Sequence, residues 1–288
     1  MAKKEIEMYY YKYPNFGDLL NELIMEKTDN IAKYKNFDSC DIVMIGSILD
    51  KFFHNSTIGE GDKKRQAGAD TSKQVYIWGT GLMYDYGDTD LKPIRPFEVR
   101  ALRGELTRKQ VSRVLNKNIE CVTCDPGILA SHFVKAEEKK YDVGIIPHYV
   151  DEKDEIFAKM KETYPNSLLI DVHADTETVL KQISSCHRIF STSLHGIIVS
   201  DSYGVPNCWC ESSDRILGDG YKYHDYFSSF GKDRKPFSLR DGDIPDPDKE
   251  CALTYDSFEE VIKKQEALLA CFPYLHKKWN PFGFFRKK

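Results

Sequence analysis

The sequence predicts an α/β protein of two Rossmann-like halves facing a central cleft, and three observations carry that expectation. Short apolar runs, residues 41–45 and 74–78 among them, end in glycine and lead into segments of helical spacing. That is the pattern of parallel strands covered on both faces. The strand–helix rhythm pauses over residues 133–141, a charged stretch without apolar period, and then resumes. Finally, 288 residues are enough for two ordinary domains, each with its own core. The expected division is residues 1–135 and 141–288.

In the first half, residues 5–11 alternate and are rich in tyrosine, as a strand would be. Pro14 and Gly17 break it, and Leu19, Leu20, Leu23 and Ile24 are spaced as on a helix that Asp18 is placed to cap. The strand at 41–45 ends in Gly46-Ser47. Residues 54–72 are polar and glycine-bearing and read as a mobile excursion. The strand at 74–78 ends in Gly79-Thr80-Gly81, where glycines let a backbone approach a ligand closely. A fourth strand over 97–102 delivers Arg103 to the same rim. Residues 121–125 close the half, and Asp125 before Pro126 sets a carboxylate at a strand end.

The second half repeats the pattern: a strand at 141–146 followed by Pro147-His148-Tyr149, a helix over 152–163, a strand at 168–171 and a helix over 176–185. Arg188, Ile189 and Phe190 then end a buried strand. Ser191-Thr192-Ser193 offers three hydroxyls where the helix beginning Leu194-His195-Gly196 starts. Hydroxyls and free amides at the positive end of a helix dipole suit an anion, and His195 in the first turn can reach it. A capped helix with an incidental histidine explains the same residues. Beyond Trp209, residues 218–227 read as an aromatic loop suited to packing against a sugar or a neighbouring domain, 240–250 as an acidic turn-rich loop and 257–270 as an amphipathic helix.

Composition narrows the function. Hydrophobic residues at 41% with 30% charged describe a globular chain, and a net charge of −4 gives nucleic acid no electrostatic footing. No apolar run approaches the roughly 20 residues that span a bilayer. The N-terminus has no apolar core of an export signal, so a cytoplasmic location is expected. Cys121 and Cys124, with Cys208 and Cys210, could supply four thiolates to zinc, but both pairs sit in strand-like segments and are better read as buried free thiols. Residues 276–288 carry five basic residues and four aromatics. They suit either docking on the protein or peripheral contact with an anionic membrane surface.

Taken in order, Asn15-Phe16-Gly17-Asp18, Gly79-Thr80-Gly81, Arg103-Gly104-Glu105-Leu106-Thr107, Asp125-Pro126, Ser191-Thr192-Ser193-Leu194-His195-Gly196, Tyr203-Gly204-Val205-Pro206 and Lys222-Tyr223-His224-Asp225-Tyr226 resemble the polysaccharide pyruvyl transferase family. The resemblance implies a fold similar to two-domain (GT-B-like) glycosyltransferases, with the acceptor side in the first half and the donor side in the second. It implies transfer of pyruvate from phosphoenolpyruvate onto two hydroxyls of a sugar in an exopolysaccharide or capsule precursor, forming a cyclic ketal. Phosphoenolpyruvate would be the co-substrate, with no further cofactor and no metal.

His195 is then the expected acid–base catalyst. Arg103, Thr192, Ser193, Leu194, Gly196, Gly79 and Thr80 are the expected donor contacts. Asn15, Asp18, His148, Asp225 and Tyr226 are expected to face the acceptor, which would be lipid-linked if the tail meets the inner face of a membrane. His148 reads as well as a structural strand-end histidine. Many family members carry arginine two residues before the histidine, where this chain has Ser193. That leaves Arg103, Arg188 and the helix N-terminus to hold an anion. A nucleotide-sugar glycosyltransferase and a non-catalytic sugar- or anion-binding protein use the same architecture.

Overall fold

The computed structural model describes residues 3–54 and 60–275. The first half lays down β1 (Lys4–Tyr9), α1 (Phe16–Lys27), β2 (Asn30–Tyr34), β3 (Ile42–Val43), β4 (Phe53–His54), α2 (Glu60–Ala67), β5 (Val75–Trp78), β6 (Lys92–Pro93), β7 (Phe97–Leu102), α3 (Glu105–Val114), β8 (Val122–Thr123) and α4 (Ala130–Phe133). The second adds β9 (Tyr141–Ile146), α5 (Glu155–Thr163), β10 (Ser167–Leu169), α6 (Thr176–Ser184), β11 (Cys186–Ser191), α7 (Leu194–Ser202), β12 (Asn207–Glu211), α8 (Tyr221–Ser228), β13 (Phe237–Ser238), α9 (Pro247–Glu250) and α10 (Phe258–Cys271).

Two parallel sheets result, in the order β2-β1-β3-β5-β7-β8 and β10-β9-β11-β12-β13, with β4 and β6 forming a small antiparallel pair. Parallel strands need a crossover between them, and helices supply most of these. Side-chain alternation then divides each strand between two layers. On β5, Val75 and Ile77 enter one buried cluster while Trp78 enters another. On β11, Ile189 and Phe190 part in the same way. The largest cluster joins Ile6 and Met8 of β1 to Ile146, Ile189 and Ile197 of the second half, so the two sheets share a core.

Several expectations change. An edge strand, β2, pairs with β1 after α1, where no strand was expected; only Asn30 among its residues is buried, which leaves little apolar period to read. Helix α1 begins at Phe16 with Asn15 as its cap, accepting from the Asp18 amide at 3.1 Å; Asp18 itself lies in the first turn. The polar excursion at 54–72 contains α2. Residues 218–227 hold α8 instead of an open loop, and α9 lies within the acidic segment. Helix α10, the last element among the described residues, packs on β7 and β8 of the first sheet, where Trp78 Nε1 donates to the Leu268 carbonyl at 3.1 Å. The basic aromatic tail, 276–288, lies outside the described residues.

The sheets are also tied by charge. Arg103, at the end of β7, and Asp225, on α8, are both fully buried, and Arg103 Nε donates to Asp225 Oδ2 at 2.9 Å. The cap of α3 is Gly104, which has no side chain to offer. Asp225 fills that role from the other half, accepting from the Thr107 amide at 2.8 Å and from the Thr107 hydroxyl at 2.7 Å. Ser228, one turn on, accepts from the Glu105 amide at 2.9 Å. Glycine is required at 104, because a Cβ there would stand 1.7 Å from the Asp225 carbonyl oxygen.

Removing one partner of a buried ion pair strands the other charge, at a cost of about 3–5 kcal/mol. Asp225→Ala is therefore expected to lower the unfolding free energy by about that amount in urea titrations. Glu98→Ala, which breaks the 40%-exposed pair with Arg100, should change it by less than about 1 kcal/mol. Equal effects from the two would contradict the assignment.

Candidate functional site

Strand ends from both sheets converge on one cavity of about 320 Å³. The turn after β1 brings Tyr11, Asn15, Phe16 and Asp18, and the end of β3 brings Gly46, Ser47 and Ile48. Arg103 and Asp125 arrive from β7 and β8. The second sheet contributes His148 and Tyr149 after β9, and Ser193, Leu194 and His195 at the start of α7, while α8 contributes Lys222. In parallel sheets ligands bind beyond the carboxyl ends of the strands, and this cavity lies there.

Of the residues singled out from sequence, seven line the cavity: His195, Arg103, Ser193, Leu194, Asn15, Asp18 and His148. The others are structural. Thr192 is buried, and its Oγ1 accepts from the His148 amide at 2.7 Å while its carbonyl accepts from Tyr223. Thr80 donates to the Gly46 carbonyl at 2.6 Å, Gly79 packs on Pro126, and Gly196 leaves room for the Ser191 hydroxyl. Asp225 holds Arg103, and Tyr226 is buried with its hydroxyl on Asp201 at 2.9 Å. Neither borders the cavity. Arg188 pairs with Asp248 at the surface and is no anion ligand of this cavity. Of the three hydroxyls before α7, Ser191 is spent on the Ser193 amide (3.0 Å), Thr192 on His148, and only Ser193 faces the cavity.

Lys222 and Asp125 are among the cavity groups missed as site residues. Lys222 sits one turn before Asp225 on α8 and makes no ion pair among the described residues. Burial, and then repulsion from Arg103, brings its ammonium down to about 8. Its signal in the sequence was the Lys222-Tyr223-His224-Asp225-Tyr226 segment itself, obscured by reading that stretch as a loop. Asp125 is fully buried; Oδ1 accepts from the Gly127 amide at 2.8 Å, and Oδ2 has no hydrogen-bond partner. Burial pushes its carboxyl up to about 7, partly opposed by Arg103. Burial likewise raises Asp18 to about 6.

The histidines move the other way. Burial, followed by repulsion from Lys222 and Arg103, brings His195 down to about 3, and burial with Lys222 and His195 does the same to His148. Both are neutral near pH 7, and His195 Nε2 is buried without a partner. The imidazole packs against the first turn of α1, where a Cβ on Gly17 would lie 2.1 Å from Nδ1. Glycine at 17 is what lets the two halves close on this histidine. Arg103 is aimed by its own contacts: besides Asp225, it donates to Ser47 Oγ at 2.5 Å and to the Leu82 carbonyl at 2.6 Å. Among the described residues, no group of three or more His, Cys, Asp or Glu is placed to hold a metal ion.

The arrangement opposes stability. Between about pH 4 and pH 7 the folded protein holds the Asp125 proton that an unfolded chain has released, so stability falls as pH rises through that window. Asp125→Asn preserves the Gly127 contact and removes the charge. It is expected to match the parent near pH 4 and to exceed it at pH 8 by a few kcal/mol, since each tenfold change in proton affinity on folding is worth about 1.4 kcal/mol. Denaturant unfolding at the two pH values reads this, and identical pH dependence in parent and variant would contradict it.

Residues 3–214 match the polysaccharide pyruvyl transferase family. The chain is 29% identical over 287 residues, 93% of each chain, to the uncharacterized protein L143 of Acanthamoeba polyphaga mimivirus. It is 21% identical over 236 residues, 79% of this chain and 66% of the relative, to the succinoglycan biosynthesis protein ExoV of Rhizobium meliloti (strain 1021). With three-quarters of its length matched, the chain belongs to the polysaccharide pyruvyl transferase family.

Proposed function

We propose that the protein transfers pyruvate from phosphoenolpyruvate to two hydroxyls of a sugar in a polysaccharide precursor, forming a cyclic ketal. One observation supports this above the others: Arg103 and Lys222 share a cavity with two buried, unpartnered groups, Asp125 Oδ2 and His195 Nε2. Phosphoenolpyruvate carries a phosphate and a carboxylate. Arg103, Lys222 and the free amides at the start of α7 are suited to both. Ser193 leaves the common arginine position without a cation, and Lys222 from α8 supplies one to the same cavity.

Titratable groups pushed apart by their surroundings indicate acid and base roles. Asp125, protonated near neutral pH, is suited to donate its proton to the enol methylene carbon, leaving a cationic C2. One sugar hydroxyl adds to C2. The second adds as the C2–O bond to phosphate breaks, with the bonding pair leaving on phosphate. Of the two hydroxyl protons, one restores Asp125 and the other leaves with phosphate. Neutral His195 is suited to take that second proton from an attacking hydroxyl through Nε2 and pass it to the departing phosphate. Asn15, Asp18 and His148 face the remaining space, where the acceptor would lie.

Among the described residues no helix is long and apolar enough to cross a membrane. The reading of a lipid-linked acceptor met at the inner membrane face rests on the composition of residues 276–288.

Incubation with phosphoenolpyruvate and a panel of glycosides, read by phosphate release and the mass gain of a pyruvyl ketal, tests the reading. Asp125→Asn should lower kcat by about 10²- to 10⁴-fold, with phosphoenolpyruvate affinity within about threefold of the parent. Full turnover by this variant would remove Asp125 from the chemistry. Transfer from nucleotide sugars instead of phosphoenolpyruvate would overturn the function.

A further inference from the structure

Arg103 stands in the cavity wall, yet its side chain is fully buried. Its Nε is taken by Asp225 at 2.9 Å, its Nη2 by the Leu82 carbonyl at 2.6 Å and its Nη1 by Ser47 Oγ at 2.5 Å. Gly81 covers one face of the guanidinium. A Cβ there would stand 2.5 Å from Cζ, 2.6 Å from Nη2 and 2.7 Å from Nε, above the plane of all three. The cation is thus enclosed by the protein, and its most direct route to the cavity runs through Ser47.

Ser47 is half-buried between the buried Gly46 and Ile48, and it borders the cavity. A serine hydroxyl has one proton to donate and two lone pairs to accept with. Arg103 Nη1 occupies a lone pair, and the hydroxyl donates to no other group among the described residues. Donation from a guanidinium draws electron density from Oγ, which makes the O–H a stronger donor in turn. The charge of Arg103 is in this way presented to the cavity as a polarised neutral donor.

The turn that carries Ser47 is fixed before any ligand arrives. Gly46 has a φ of 110°, in the left-handed region that glycine enters without steric cost. Its carbonyl accepts from the Thr80 hydroxyl at 2.6 Å and from the Gly81 amide at 3.3 Å. The Leu49 amide donates to the Gly81 carbonyl at 3.2 Å. Ser47 is therefore pinned on both flanks to the turn that covers the guanidinium, and a donor fixed in advance lowers the ordering cost of binding.

Charge then selects the group that Ser47 meets. Phosphoenolpyruvate offers a phosphate with three acceptor oxygens and a carboxylate with two. The phosphate is also the group on which charge grows as the C2–O bond breaks, and a fixed donor aimed there strengthens as it does so. A polarised hydroxyl in front of a buried cation suits it, because hydrogen bonds to an ionised acceptor are the strong ones.

We propose that Ser47 is a substrate-binding residue whose hydroxyl donates to the phosphate of phosphoenolpyruvate, with Arg103 behind it as the source of positive charge. The proposal rests on the pyruvyl-transfer reading for the identity of the donor, but binding tests it without turnover. The full chain, the parent against Ser47→Ala and Ser47→Thr, is titrated by calorimetry with phosphoenolpyruvate, inorganic phosphate and pyruvate. Ser47→Ala should bind phosphoenolpyruvate and inorganic phosphate about tenfold or more weakly than the parent, and pyruvate within about twofold. Ser47→Thr, which keeps a hydroxyl, should stay within about threefold of the parent for phosphoenolpyruvate. Equal phosphoenolpyruvate affinity in the parent and Ser47→Ala would overturn the role of Ser47 and leave pyruvyl transfer untouched. An equal loss for pyruvate and phosphate, or no binding of inorganic phosphate by the parent, would overturn it as well. Phosphate binding that depends on Ser47, in a protein that moves no pyruvyl group to any glycoside, would keep the contact and remove the donor reading.

Discussion

The buried pair of Arg103 and Asp225 is the contact on which the rest of the site depends. A guanidinium and a carboxylate taken out of water are costly unless their remaining hydrogen-bonding groups are satisfied, and here Asp225 is bound by Arg103, by the Thr107 amide and by the Thr107 hydroxyl. One carboxylate thus neutralises the cation at the end of β7, caps a helix that begins on glycine, and fixes α8 against the first sheet. Because α8 is fixed there, Lys222, three residues earlier on the same helix face, reaches the cavity. A salt bridge between halves is, in this molecule, the device that sets the position of a second cation.

The protonation equilibria of that cation and its neighbours are displaced from their values in water. Lys222 is pushed towards its neutral form, Asp125 and Asp18 towards theirs, and the two histidines are kept uncharged. Groups poised in this way cluster where chemistry is done, and they reduce the stability of the empty protein. An incoming dianion would reverse part of that cost, since it offers Lys222 a counter-charge within the cavity.

Much of this was legible in the residues, and the reasons differ by element. The parallel strands could be read because alternation on β5 and β11 feeds apolar side chains into both layers. The motif glycines marked close approaches, Gly17 to His195 and Gly104 to Asp225, that only a missing Cβ permits. Strand β2 was not legible, because an edge strand with one buried residue leaves no apolar period. Helix α8 was obscured by the glycines around Asp219, although its buried residues, Tyr223, Tyr226 and Phe227, recur at helical spacing. Asp125 was recognised as a strand-end carboxylate, but its unpartnered oxygen depends on packing from several elements, which no local pattern encodes.

The central claim is that the cation missing at Ser193 is replaced by Lys222 of α8. Calorimetric titration with phosphoenolpyruvate tests it most directly, on the parent and on Lys222→Met, from pH 7 to pH 9. The account predicts that parent affinity falls as pH rises through about 8, where Lys222 loses its proton. It also predicts that Lys222→Met binds about tenfold or more weakly at pH 7, a difference of about 1.4 kcal/mol, with little pH dependence. Equal affinity and the same pH profile in both proteins would contradict it.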